Sequence, residues 1–134
     1  MELADALDGM RVSLDCYVDP GSDSPSYLGK LKIKYLERDI TRLKAKFGYV
    51  VIEGICLLEV LKAVSVAPDI RIYVKRISEQ GLWHDGFHLE DYVGERTIKE
   101  NEKGLHKCEF EYHTEMLPHE NVDIIFERVE DNSQ

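Results

Sequence analysis

The stretch GYVVIEGICLLEVL, residues 48–61, decides how the chain is read. Its first half is a run of apolar and β-branched residues with the composition of a buried strand, and its second half repeats apolar residues at helical spacing. Between them stand Glu53 and Gly54, a carboxylate and a turn residue at the carboxyl end of the strand. A strand that feeds a helix predicts a crossover unit, and the acid at the junction raises the question of what it does there.

Working outward, three more segments have strand character: MRVSLDCYV (10–18), DIRIYVKR (69–76) and VDIIFER (122–128). Between the first and the opening stretch, SPSYLGKLKIKYLERDITRLKAKFG (24–48) carries Leu28, Leu31, Tyr35, Leu36, Ile40, Leu43 and Phe47 at steps of three and four. That spacing predicts one amphipathic helix, with Ser24 as N-cap, Pro25 at the first helical position and Gly48 closing the end. CLLEVLKAVSV (56–66) predicts a second helix. Two polar helical stretches, about 90–102 and 105–117, are expected on either side of Gly104. Strand and helix in alternation predict a single α/β domain over 1–134, with a three-layer, mostly parallel sheet flanked by helices.

Composition bounds the function classes. The 134 residues are 43% hydrophobic, enough for a real core. No run is long enough to span a membrane and no basic-then-apolar leader opens the chain, so it reads as a soluble, cytoplasmic protein. Cys16, Cys56 and Cys108 are odd in number and lie in apolar surroundings, which predicts reduced core thiols. The net charge of −9 falls entirely in residues 85–134, which hold 5 basic and 14 acidic residues, while residues 1–84 hold 12 of each. Backbone binding of nucleic acid needs a basic face, and none is visible. The acidic half is either a solvated surface or a face for a basic partner.

In open parallel sheets, ligands bind beyond the carboxyl ends of the strands. Asp15 and Glu53 both stand at such ends, where two carboxylates can hold a divalent cation or accept a proton; equally, each can cap a turn or pair with a basic side chain. The histidines offer a competing chemistry. His84 and His88 are four apart, and Cys108, His113 and His119 lie in the last third. With Gly86 between the first pair and neither C-x-x-C nor H-E-x-x-H present, ordinary packing is the simpler reading, and Trp83 and Phe87 fit a packing or gating loop.

Taken in order, RVSLDCYV, SDSPSYL, YVVIEGICLL, PDIRIYVKR and LPHENVDIIFERV resemble the successive strands and flanks of uridine kinase-like P-loop nucleoside kinases. The family's S-x-D-x-[FY] is matched by Ser13, Asp15 and Tyr17. Its D-x-P-x-x-[FY] is matched by Asp23 and Pro25, with Leu28 for the aromatic. E-G-[IL]-x-[LA]-[LF] is matched by Glu53, Gly54, Ile55, Leu57 and Leu58, and the closing P-x-x-x-x-A-D-[IV]-[IV] by Pro118, Asp123, Ile124 and Ile125, with Val122 for the alanine. The resemblance implies that Asp15 accepts the proton of an acceptor hydroxyl, that Glu53, with Asp15, helps place the Mg2+ of bound ATP, and that Tyr17 and Asp23 line the site of a nucleoside or other small hydroxyl acceptor.

The same comparison shows what these residues lack. The family opens with a strand and G-x-x-x-x-G-K-[ST], and the chain's one Gly-Lys pair, Gly29-Lys30, runs into Leu31 within the helical pattern. ELADALDGM looks like the tail of the helix that follows that loop, so the chain reads as truncated. After Lys75 and Arg76 the next arginine is Arg96, where the family has an arginine-rich lid, and Ser24 stands where uridine kinases often carry a base-contacting histidine.

Three readings follow: a phosphotransferase domain with little or no activity in this chain, a non-catalytic binding or regulatory module that uses its acidic half, and metal-dependent hydrolysis by Asp15 and Glu53. In the family's strand order the missing strand lies between 49–54 and 69–76. Two free edges result, which either close on each other or are covered by a second copy in a homodimer.

Overall fold

The computed structural model describes residues 3–81, 111–113 and 115–129. The chain divides into two compact units, Met1–Ala67 and Pro68–Gln134.

In the amino-terminal unit, a short helix α1 (Leu3–Ala6) leads into strand β1 (Met10–Ser13). The strand expected over 10–18 stops at Ser13, because residues Leu14–Tyr17 wind into a 3-10 turn. Leu14 is fully buried while Asp15 and Cys16 are exposed, so a single turn anchors one side chain in the core and turns the next two outward. Cys16 is therefore not the core thiol its neighbours suggested; Cys56 is buried, both are free thiols, and Cys108 lies outside the described residues.

The helix expected as one piece over 24–48 is two. α2 (Tyr27–Lys30) is capped by Ser26, whose Oγ accepts from the Gly29 N–H at 3.0 Å, so Ser26 rather than Ser24 is the cap. α3 (Ile33–Lys46) follows after a break at Leu31 and Lys32. The break has a visible cause in the backbone: Leu31 bridges Val18 antiparallel, the Lys32 N–H donates to the Tyr17 carbonyl at 2.8 Å, and the Asp19 N–H donates to the Lys30 carbonyl at 2.7 Å. Tertiary pairing with the 3-10 turn outweighs local helix preference at these two residues. Leu36 and Ile40 are the buried stripe of α3, as their spacing predicted.

Strand β2 (Val50–Glu53) pairs parallel with β1, in the register Met10↔Val50 through Ser13↔Glu53. Helix α4 (Leu57–Ala63) buries Val60 and Leu61 and leads to buried Val64. The core of this unit includes Val12, Leu14, Leu36, Ile40 and Val60, drawn from strand, turn and helices.

Gly54 explains half of the opening junction. A Cβ built there would lie 2.6–2.7 Å from Leu14 side-chain carbons, well inside contact distance. The end of β2 has to be glycine for the 3-10 turn to seat Leu14. Gly54→Ala is expected to cost about 1–3 kcal/mol by overpacking a filled core. Urea unfolding checks this, and an unchanged midpoint would mean that Leu14 has room to move.

In the carboxyl-terminal unit, strands β3 (Ile72–Ile77) and β4 (Ile124–Val129) pair parallel from Ile72↔Ile124 to Ile77↔Val129. Their start is clamped reciprocally: the Arg71 N–H donates to Asp123 Oδ2 at 2.7 Å, and the Asp123 N–H donates to the Arg71 carbonyl at 3.0 Å. Residues 111–113 and 115–116 are helical, within the stretch expected over 105–117; the helix expected over 90–102 lies outside the described residues, as do Trp83, His84, Phe87 and His88. The Tyr73 hydroxyl and His113 Nε2 lie 3.1 Å apart, and the His113 ring stacks on His119 at 6.4 Å between centroids.

His119 is held below its ordinary value, first by burial and further by His113, with Glu120 opposing. The folded state therefore prefers the neutral ring. Its contribution to stability is complete above the unfolded value of 6.5 and is lost as pH falls below it toward the folded value. Thermal melts taken from neutral to mildly acidic pH should show a falling midpoint that His119→Gln flattens. Equal slopes in both proteins would remove His119 as the cause.

The fold is thus mixed α/β built on two short parallel strand pairs.

Candidate functional site

Asp15 follows the carboxyl end of β1 by two residues, on the exposed side of the 3-10 turn. Its Oδ1 accepts from the Tyr27 hydroxyl at 2.9 Å. Tyr27 itself is buried at 4% exposure, and its ring fills the core under α2. Burial and the neighbouring Asp15 carboxylate both push the Tyr27 phenol well above its ordinary range, burial contributing more. The phenol is therefore favoured in its protonated form, which donates to Asp15.

Tyr17 ends the same turn, and its hydroxyl donates to Asp39 Oδ2 on α3 at 2.8 Å. Burial first, then Asp39, raise the Tyr17 phenol to about 12, and the same hydrogen bond is the main reason that the Asp39 carboxyl lies below its ordinary range, with burial opposing and Arg38 assisting. Asp23 is exposed in the loop before α2, a loop folded by its own serines: Ser22 Oγ accepts from the Ser24 N–H at 3.3 Å and Ser24 Oγ from the Ser26 N–H at 3.4 Å.

Glu53 meets a basic side chain. Arg11 Nε donates to Glu53 Oε1 at 2.9 Å and Arg11 Nη2 donates to the same oxygen. The register explains the meeting: Arg11 pairs with Val51, so Glu53 is its diagonal neighbour on one face of the parallel pair. Both side chains are half exposed, so the pair is worth little to stability. It matters more for chemistry, because a guanidinium on Oε1 competes with any cation there.

The sequence-derived acids thus have separate engagements, Asp15 with Tyr27 and Glu53 with Arg11. No group of three or more His, Cys, Asp or Glu side chains suited to a metal ion occurs among the described residues. A Mg2+ ion held by Glu53 would first have to displace Arg11 from its carboxylate. Sequence reasoning missed Tyr27 and Asp39. Tyr27 and Leu31 are an apolar pair four apart, the signal that could have placed Tyr27 in the core.

Comparison with protein-family models, with curated proteins and with solved structures finds no match for this chain. No helix among the described residues is long and apolar enough to cross a membrane.

Proposed function

We propose that the chain is a nucleoside kinase-like phosphotransferase domain, cytoplasmic, that holds the acceptor side of the reaction and has little or no activity by itself because it lacks the P-loop. The observation that carries this reading is the place of Asp15: just past the carboxyl end of a strand in a parallel pair, solvent-facing, with one oxygen anchored by a buried phenol. The two parallel pairs, 10–13 with 50–53 and 72–77 with 124–129, also support it, since that fold is built on parallel strands.

The chemistry is phosphoryl transfer from ATP. An acceptor hydroxyl oxygen bonds to the γ-phosphorus, the bond from that phosphorus to the β–γ bridging oxygen breaks, and ADP leaves with that electron pair. The hydroxyl proton passes to Asp15. Tyr17 and Asp23 border the acceptor. These 134 residues contain no glycine-rich phosphate cradle, so the donor nucleotide is the part they hold poorly.

A second reading, a non-catalytic binding or regulatory module with an acidic carboxyl-terminal half, is favoured by one observation. Arg11 neutralises Glu53, as a retired metal-positioning acid would be neutralised.

Calorimetry separates the two. The kinase-like reading expects a nucleoside such as uridine or adenosine to bind, with Asp15→Asn abolishing the heat, while MgATP binds more weakly than ~1 mM. Binding of neither would leave the regulatory module. A micromolar constant for MgATP would contradict the missing cradle.

A further inference from the structure

We infer that Tyr27 is the positioning residue for Asp15: it pins one carboxylate oxygen so that the other is presented to a hydroxyl-bearing acceptor. The inference rests on the acceptor-side reading of Asp15 given above for its second half only. The contact itself is in the geometry.

Three features argue for it. First, the two groups differ sharply in burial. Tyr27 is 4% exposed and packed in the core, whereas Asp15 is exposed, so the rigid partner is the phenol and the adjustable one is the acid. An exposed aspartate on a surface turn ordinarily samples several rotamers, and a 2.9 Å bond from a core side chain selects one. Second, the direction of donation is fixed. The phenol holds its proton throughout the working pH range and the carboxylate can only accept, so Oδ1 is committed to the protein and Oδ2 stays available.

Third, the turn that carries Asp15 is held on its other side as well. Leu14 is fully buried, the Tyr17 hydroxyl is bonded to Asp39 on α3, and the Lys32 N–H donates to the Tyr17 carbonyl at 2.8 Å. Backbone and side chain of Asp15 are thus both located before any ligand arrives, the condition under which a base contributes to transfer through orientation. A bond to a surface acid does little for stability, and a buried phenol is a costly way to obtain it; its use here points to placement.

The test compares Tyr27→Phe, which keeps the ring in the core, with wild type and with Tyr35→Phe, the same deletion at a 54% exposed tyrosine. Two readouts are taken: the Asp15 χ1 couplings by NMR, and the affinity for uridine and adenosine by equilibrium dialysis. Wild type and Tyr35→Phe should show one dominant Asp15 rotamer, and Tyr27→Phe should show averaged couplings and about tenfold weaker nucleoside binding, the loss expected for one charge-assisted hydrogen bond. Averaged couplings in Tyr27→Phe with no nucleoside binding in any of the proteins would uphold the positioning contact and sink the acceptor reading. An unchanged rotamer and unchanged affinity in Tyr27→Phe would overturn the inference. Asp15→Asn gives an approach from the other side: it keeps an acceptor oxygen for Tyr27 but removes the charge, so its couplings should stay ordered while binding is lost.

Discussion

Leu14→Ala is expected to unfold the amino-terminal unit, or bring it to the edge of unfolding, with a loss of about 2–5 kcal/mol against a typical total of 5–15. Leu14 is among the four largest fully buried side chains, with Leu36, Ile40 and Val60, and it is the one nearest the site. It is held from below by Gly54, whose missing side chain leaves the room Leu14 fills. Truncation would leave a cavity that neither the strand end nor the 3-10 turn can close, because both are tied by backbone hydrogen bonds. Since the turn carries Asp15 and Tyr17, nucleoside binding should vanish together with the fold. Urea unfolding followed by circular dichroism measures the loss. A cost below about 1 kcal/mol would mean that the turn repacks freely and that Leu14 is not its anchor.

The second large effect concerns the carboxyl-terminal unit. Its described strands expose Ile72, Val74, Ile124, Ile125, Phe126 and Val129 at 42–57%. The register sets Ile72 beside Ile124 and Val74 beside Phe126, so the first half of one face of the pair is apolar, and Arg76 beside Arg128 ends it. A two-stranded sheet is marginal by itself, and exposed apolar side chains on its strands recruit partners. The occupant expected is a second copy of the chain, which gives light scattering a mass of twice 15.5 kDa at micromolar concentration. Val74→Lys and Phe126→Lys should each return the mass to that of one chain, since a charge placed in a buried interface is strongly disfavoured. A single-chain mass for the unaltered protein would assign these strands to a different partner.

Much of the architecture was legible because it follows from periodicity. Three strands were located closely while the one expected over 10–18 stops at Ser13, and Leu36 and Ile40 were placed on the buried stripe of α3 by steps of three and four. The misreadings have one physical origin. At Leu31–Lys32 and at Leu14–Tyr17, backbone hydrogen bonds between segments distant in sequence redirect the chain, and no local pattern announces them. The site was half legible for the same reason. Asp15 could be singled out because it ends a strand, and the opening acid, Glu53, for the same cause. Their partners could not, since Tyr27 and Arg11 meet them through the fold, 12 and 42 residues away. Gly54 reads in the sequence as a turn residue, yet its reason, the close approach of Leu14, exists in three dimensions alone.

The central claim, that the pinned Asp15 faces an acceptor while the donor's cradle is not among these residues, is tested most directly by mapping ligand contacts on the 15N-labelled chain. Uridine and adenosine should each move the amide resonances of Leu14–Tyr17 and of the loop 22–28, saturating at millimolar concentration or below, while MgATP at ~1 mM leaves those resonances unmoved. Nucleoside-induced shifts confined to residues remote from Asp15, or micromolar MgATP shifts anywhere in the chain, would contradict the account.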